Sequence, residues 1–280
     1  MEYQESEGEV LEPRIILGQY GLSPKKSLGQ NFLSDDNILA AIAASANLQP
    51  ADQVLEIGPG LGSLTRHLAH QAGYIVAIEL DDRFIPILEA QLAGFDNVEV
   101  IHGDILKVEP TKYLGKGYKV VANVPYYITG AILRHLLTST IKPTHITMTV
   151  QKEVAKRLTA LPGRMSVLSV TAQYYGMITN VLTIKAGSFW PKPEVDSVVI
   201  NLALWGELPL EPIEEEALFR VVKVGFNQKR KQLQKNLRAI IDSRDRVQSV
   251  LQIAEIDGTR RAETLSLKEW ISLYTAIKEL

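Results

Sequence analysis

The chain runs to 280 residues, 46% hydrophobic and 22% charged, with no cysteine, a balance too apolar for disorder and too charged for a membrane protein. The absent thiols exclude disulfides, thiolate zinc sites and cysteine nucleophiles, and no stretch reaches the roughly 18 uncharged apolar residues of a spanning helix. The formal net charge of −2 argues by itself against a polyanion binder, and the acidic start fits neither a signal nor a transit peptide, so a soluble cytoplasmic protein is expected.

Residues 1–22 hold five acids and one base, which leaves the rest of the chain at +2. Apart from Ile15-Ile16-Leu17 they carry little apolar period, and a mobile acidic tail is expected there. From 35 to 47 the spacing is helical, with Asp35 or Asp36 as the N-cap. Strand-like segments at 53–57, 74–80, 98–101, 118–122 and 145–150 then alternate with helix-like ones at 62–70, 82–92 and 129–137. Such alternation predicts βαβ units and a parallel sheet. Two further strands, 178–185 and 197–204, are expected to close the sheet as an antiparallel hairpin. After Trp205-Gly206-Glu207-Leu208-Pro209 the pattern is helical to Leu280. The expected organisation is a tail (1–22), an α/β domain (23–205) and a small all-helical domain (206–280). In the helical part, 217–238 holds seven bases (Arg220, Lys223, Lys229, Arg230, Lys231, Lys235 and Arg238) and no acid. That is the footprint of phosphate binding, although a solvated helix face looks the same.

Chemistry concentrates at the ends of the predicted strands. Glu56-Ile57-Gly58-Pro59-Gly60-Leu61-Gly62 lies directly between a strand and a helix, where glycines allow close ligand approach and the helix start offers free amides. Its E-x-G-x-G-x-G form departs from the dinucleotide fingerprint, which needs glycine at Ser63, and is typical of S-adenosylmethionine-dependent methyltransferases. Glu79 ends the next strand, where an acid accepts from both ribose hydroxyls. Asp104, in Gly103-Asp104-Ile105, ends the third and suits an adenine amino group. Either acid alone reads equally well as a helix cap, but three features at consecutive strand ends converge on one crevice. Asn123-Val124-Pro125-Tyr126 opens into the same crevice. The Asn123 amide oxygen and the Val124 carbonyl can both accept from an exocyclic amine and so aim its lone pair at an electrophile. Pro125 stiffens the turn, and Tyr126 offers a flat face to a base. Phe189, in the proline-braced Phe189-Trp190-Pro191-Lys192-Pro193-Glu194-Val195-Asp196-Ser197, could cover the other face of a flipped base; an ordinary hydrophobic plug explains it as well.

Ser27-Leu28-Gly29-Gln30-Asn31-Phe32-Leu33, the glycine loop, Asn123-Val124-Pro125-Tyr126 and the proline-braced loop occur in this order. With Phe226-Asn227-Gln228-Lys229-Arg230-Lys231 and Asn236-Leu237, the sequence over about 20–275 resembles the ribosomal RNA adenine dimethyltransferases, most closely their bacterial small-subunit branch. The resemblance implies a Rossmann-like class I methyltransferase sheet with a helical C-terminal domain, and S-adenosylmethionine as cofactor. It implies a cofactor site of Gln30, Asn31, Leu33, Glu56, Gly58, Gly60, Glu79, Asp104, Ile105 and Asn123, with 30–33 folding over the ligand. The implied substrate is two adjacent adenines in a hairpin loop near the 3′ end of 16S rRNA, within a 30S precursor, each gaining two methyl groups. Val124 stands where the family usually has leucine or isoleucine, a change of little weight because the carbonyl acts. No metal site is expected, since the five histidines lack ligand spacing, and a monomer is expected because no heptad announces a partner. The rival readings are a 23S rRNA adenine methyltransferase of the resistance type, a DNA adenine methyltransferase, and a non-catalytic assembly or transcription factor on the same fold.

Overall fold

The computed structural model describes residues 12–280; the part of the expected tail before residue 12 lies outside them. Among the described residues nine strands form: β1 (Phe32–Leu33), β2 (Gln53–Ile57), β3 (Tyr74–Glu79), β4 (Val98–His102), β5 (Lys119–Ala122), β6 (His145–Gln151), β7 (Gly176–Ile184), β8 (Phe189–Trp190) and β9 (Ser197–Leu204). Seven make one sheet in the order β4-β3-β2-β5-β6-β9-β7. Pairings from β4 through β6 are parallel, and β9 runs antiparallel to β6, with Ile146 opposite Leu202 and Val150 opposite Val198.

The sequence dictates this arrangement through burial. Val54, Leu55 and Ile57 on β2, Ile75 to Ile78 on β3, and Ile146, Met148 and Val150 on β6 are all buried. Continuous apolar runs of this kind belong to strands covered on both faces. The helix Asp36–Ser45, capped by Asp35 through the N–H groups of Asn37 and Ile38, packs Leu39, Ile42 and Ala43 with Leu64 and Leu68 of the helix Ser63–Ala69. Strand order reverses between β2 and β5, and in open parallel sheets the crevice beyond the strand ends at such a switch point is where ligands bind.

Two expectations need correction. The segment expected to be mobile contains a helix, Pro13–Gln19, with proline in its first turn. Its Ile16 and Leu17 pack among Phe84, Ile87 and Leu88 while Ile15 faces out, so burial of two side chains outweighs the acidic composition preceding them. The strands 178–185 and 197–204 do become neighbours, but not as a simple hairpin. β9 inserts between β6 and β7, and the connection itself contributes β8, which pairs antiparallel with β1.

The chain divides into two compact units. The α/β unit comprises the chain through Lys152 together with Thr179–Leu204. The helical unit comprises Glu153–Ile178 and Trp205–Leu280, so the expected single boundary near 205 is one of three crossings. It holds the helix Val167–Tyr175, opened by a Ser166/Ser169 capping box, and the helices Pro212–Gly225, Leu233–Leu237, Arg244–Ile253 and Leu267–Lys278. Leu218, Val222, Leu233, Leu237, Val250, Leu273 and Trp270 fill its interior. A Cβ at position 225 would lie 2.3 Å from the Trp270 ring, so the close approach there requires Gly225. Among the described residues no helix is long and apolar enough to cross a membrane.

Candidate active site

One cavity opens at the switch point of the sheet, walled by the ends of β2, β3, β4 and β5 and by the segment leading into β1. Of the residues singled out in the sequence, Gln30, Asn31, Leu33, Gly58, Gly60, Glu79, Asp104, Ile105, Asn123, Val124, Pro125, Tyr126 and Phe189 all line it.

The glycine loop is shaped by its backbone. Gly58 and Gly60 have φ of +69° and +61°, a region closed to ordinary side chains. A Cβ at 58 would also press within 3.3 Å of Val124 Cγ1, so the loop and the Asn123-Val124-Pro125-Tyr126 turn fit together only without it. The Gly60 N–H points back to Glu79, donating to Oε2 at 3.0 Å, while the Asp81 N–H donates to Oε1 at 2.8 Å. Both carboxylate oxygens of Glu79 are thereby held at the end of β3. Burial raises its pKa, because the charged form has lost solvent that the two N–H donors only partly replace.

Asp104 closes its own turn, accepting from the Leu106 N–H at 3.0 Å, and its other oxygen lies 3.8 Å from Lys107 Nζ. The cap-like geometry and a place on the cavity wall coexist in this residue. The Asn123 side chain makes no hydrogen bond among the described residues, so its amide is free to engage a ligand. Tyr126 is fixed through its hydroxyl, 2.6 Å from the Oγ of buried Ser197, which turns the last residue of the proline-braced loop into a brace for the ring. Phe189 lies on the wall but is only 4% exposed, packed with Leu33 and Leu39.

Glu56 is not brought to the cavity. Its side chain is 1% exposed beneath the loop, and its Oε2 has no hydrogen-bond partner among the described residues. Burial pushes its pKa up to about 8, with Glu79 nearby adding to the shift, so it holds a proton at neutral pH. The seven bases of 217–238 are all exposed in the helical unit, and Arg220 is paired with Glu216 at 3.4 Å. His67 sits 2.9 Å from Asp36, and among the described residues no group of three His, Cys, Asp or Glu is placed to hold a metal.

Sequence reasoning missed three features. Phe84, Ile128 and Ile132 add apolar wall; nothing but their neighbourhood to motifs marks them. The pairing of Leu33 with Phe189 and of Phe32 with Trp190 ties two motifs together through strands too short to signal themselves. The third is Asp81, a buried carboxylate directly behind Glu79.

Comparison with known proteins supports one family. The family model described as ribosomal RNA adenine dimethylase matches residues 21–279. A ribosomal RNA small subunit methyltransferase A from Moorella thermoacetica is 43% identical over 270 residues, covering 92% of this chain and 94% of its own. Its counterpart from Dehalococcoides mccartyi strain CBDB1 is 42% identical over 265 residues, covering 94% of this chain and 91% of its own. Among solved structures, the 23S rRNA methyltransferase ErmE is similar with a TM-score of 0.73 and 32% identity, covering 88% of this chain and 99% of that one. A dimethyladenosine transferase from Plasmodium falciparum shares the fold at a TM-score of 0.79 and 24% identity, over 89% of this chain and 98% of that one. The α/β unit is thus a Rossmann-like class I methyltransferase sheet, and the chain belongs to the ribosomal RNA adenine dimethylase family.

Proposed function

We propose that this protein transfers methyl groups from S-adenosylmethionine to the exocyclic 6-amino groups of two adjacent adenines in a 3′-end hairpin loop of 16S rRNA, in a cytoplasmic 30S precursor, during small-subunit biogenesis. The observation that carries the reading is the convergence, on one cavity, of a ribose-type acid on β3, an acid after β4 and an unpartnered Asn123 after β5. Every one of these comes from a single chain, so a monomer suffices.

The residues present fit the cofactor. Glu79 presents a carboxylate already fixed by two backbone donors, suited to accept from a pair of ribose hydroxyls, and Asp104 retains an oxygen for an adenine amine. Gly58, Gly60, Asn31 and Leu33 supply the remaining close walls. The bound cofactor supplies an electrophilic sulfonium methyl. The Asn123 amide oxygen and the Val124 carbonyl accept the two hydrogens of the target amine, which withdraws its lone pair from conjugation and aims it. Tyr126, anchored on Ser197, stacks on one face of the splayed base, and Phe189 closes the opposite side. Positioning of this kind accounts for roughly 7–11 kcal/mol of barrier lowering where geometry is right. No strong base is needed, because the attacked nitrogen becomes acidic as the new bond forms and its proton passes to water. The exposed bases of the helical unit contact RNA phosphates, giving affinity that falls with salt and reads little sequence.

The likeness to ErmE supports a second reading, methylation of 23S rRNA, although the small-subunit relatives are more similar to this chain. The test is radiolabelled methyl transfer to undermethylated 30S particles, with 50S particles and DNA alongside. Dimethyladenine in 30S alone is expected. Label in 50S RNA alone would move the assignment to the second reading, and cofactor binding without transfer would favour a non-catalytic assembly factor.

A further inference from the structure

Asp81 lies just past β3 and behind the cavity wall, its side chain fully buried. A buried carboxylate persists as a charge only with partners on every side, and this one has them. Its Oδ1 accepts from Arg83 Nε at 2.8 Å and lies 3.4 Å from Lys25 Nζ. Its Oδ2 accepts from Gln30 Nε2 at 2.7 Å and from Arg83 Nη2 at 2.6 Å. The Arg83 guanidinium holds its carboxyl well below the usual carboxylate range.

Lys25 and Gln30 belong to the segment that walls the cavity opposite the strand ends. They are joined to each other as well, the Lys25 N–H donating to Gln30 Oε1 at 2.7 Å. Directly after Gln30 the chain supplies Asn31, Phe32 and Leu33 to the cavity, the Phe32 ring lying 3.4 Å from where a Cβ at Gly60 would be. The far end of this strap is fixed by the apolar pairing of β1 with β8. The near end is fixed by Asp81, whose own N–H also holds Glu79 Oε1.

We infer that Asp81 is a positioning residue for cofactor binding: its carboxylate latches residues 25–33 across the cavity while its backbone N–H aligns the Glu79 carboxylate, so strap and ribose acceptor are set by one residue that touches no ligand. The inference rests on the reading of the cavity as an S-adenosylmethionine site. Replacing one carboxylate oxygen by an amide turns a donor toward Gln30, Lys25 or Arg83, all of which are donors, and the near end of the strap is released.

The experiment measures S-adenosylmethionine binding by calorimetry and trypsin cleavage after the exposed Lys25 and Lys26 in the ligand-free full chain. For D81N, folded by circular dichroism, the dissociation constant is expected to rise at least tenfold and cleavage at 25 and 26 to accelerate by a similar factor. Gln30→Leu, which removes the other side of the same latch, is expected to act in the same direction, and the D81N/Q30L double variant to be no worse than D81N. A general loss of packing would instead give additive effects. Should D81N fail to fold, Gln30→Leu carries both readouts, and Lys25→Met carries binding and cleavage after Lys26. Unchanged binding and cleavage in folded variants, or additive effects, overturn the inference alone. Failure of the unmodified chain to bind S-adenosylmethionine overturns the reading of the site and the inference with it.

Discussion

The two units use charge in opposite ways. In the α/β unit the acids that matter, Glu79 and Asp81, are buried and held by backbone N–H groups or fixed cations. In the helical unit the seven bases of 217–238 stand in solvent on a scaffold closed by apolar packing around Trp270. Buried groups are screened little by salt and act here through direct contacts of 2.6–3.4 Å; between exposed charges salt screens the interaction beyond roughly 8–10 Å. On the proposed function, selectivity for one small ligand and attraction to a long polyanion should therefore be separable.

The comparison breaks if a change in one unit alters the property assigned to the other. The largest effect is expected for Asn123→Ala, which should lower the rate of methyl transfer to 30S particles by about a hundredfold or more, since misplaced reacting groups cost that much. RNA affinity, read by filter binding, should stay as it was. Tyr126→Ala removes a stacking face worth about 1–3 kcal/mol per base and should cut single-turnover transfer by roughly tenfold or more. Tyr126→Phe keeps the ring and loses only the 2.6 Å contact with Ser197, a neutral hydrogen bond of about 1 kcal/mol; a few-fold loss is expected.

On the other side, changing Lys229, Arg230 and Lys231 together to glutamine should lower the slope of log affinity against log salt by about 2. Cofactor affinity, measured by calorimetry in the same variant, should not move. A further test sharpens the contrast through pH. Glu56 has its carboxyl pushed from 4.5 up to about 8 by burial. Below pH 4.5 folded and unfolded chains both hold this proton, whereas between 4.5 and about 8 only the folded chain keeps it. Stability should therefore fall as pH rises through that window, by at most about 1.4 kcal/mol per pH unit from this group. Glu56→Gln should flatten that part of the profile in denaturant titrations, and retention of the full slope would show that Glu56 is not its source.

Much of this molecule was legible because its strands are buried on both faces and so read as unbroken apolar runs bounded by turns. β2, β3, β5 and β6 fall within a residue or two of their expected limits, and the acids at their ends had to converge once the sheet was parallel. What escaped were features made by tertiary contact. Residues 13–19 look like tail until Ile16 and Leu17 meet Phe84 and Leu88. Nothing local says that Glu153–Ile178 groups with helices beyond Trp205. Glu56 bears the first letter of a binding motif, yet strand alternation turns its side chain under the loop rather than into the cavity. Asp81 accepts from the Arg83 N–H at 3.4 Å as a local cap; that it also gathers Lys25 and Gln30 across more than 50 residues of chain is invisible to spacing.

The place of β9 has a consequence for the order in which the molecule can be made. The sheet needs residues 197–204 between β6 and β7, yet Glu153–Ile178 of the helical unit leaves the ribosome first, and Trp205–Leu280 follows last. Neither unit occupies an unbroken stretch of chain: the α/β unit is complete only at Leu204, after Glu153–Ile178 of the helical unit has been made, and the helical unit only once Trp205–Leu280 has followed. During translation, β6 must wait with one edge open until β9 emerges, and the helix Val167–Tyr175 must wait longer for its companions. Exposed edges and apolar helix faces of this kind are where nascent chains aggregate, and a truncation anywhere between residues 153 and 204 would strand both units at once.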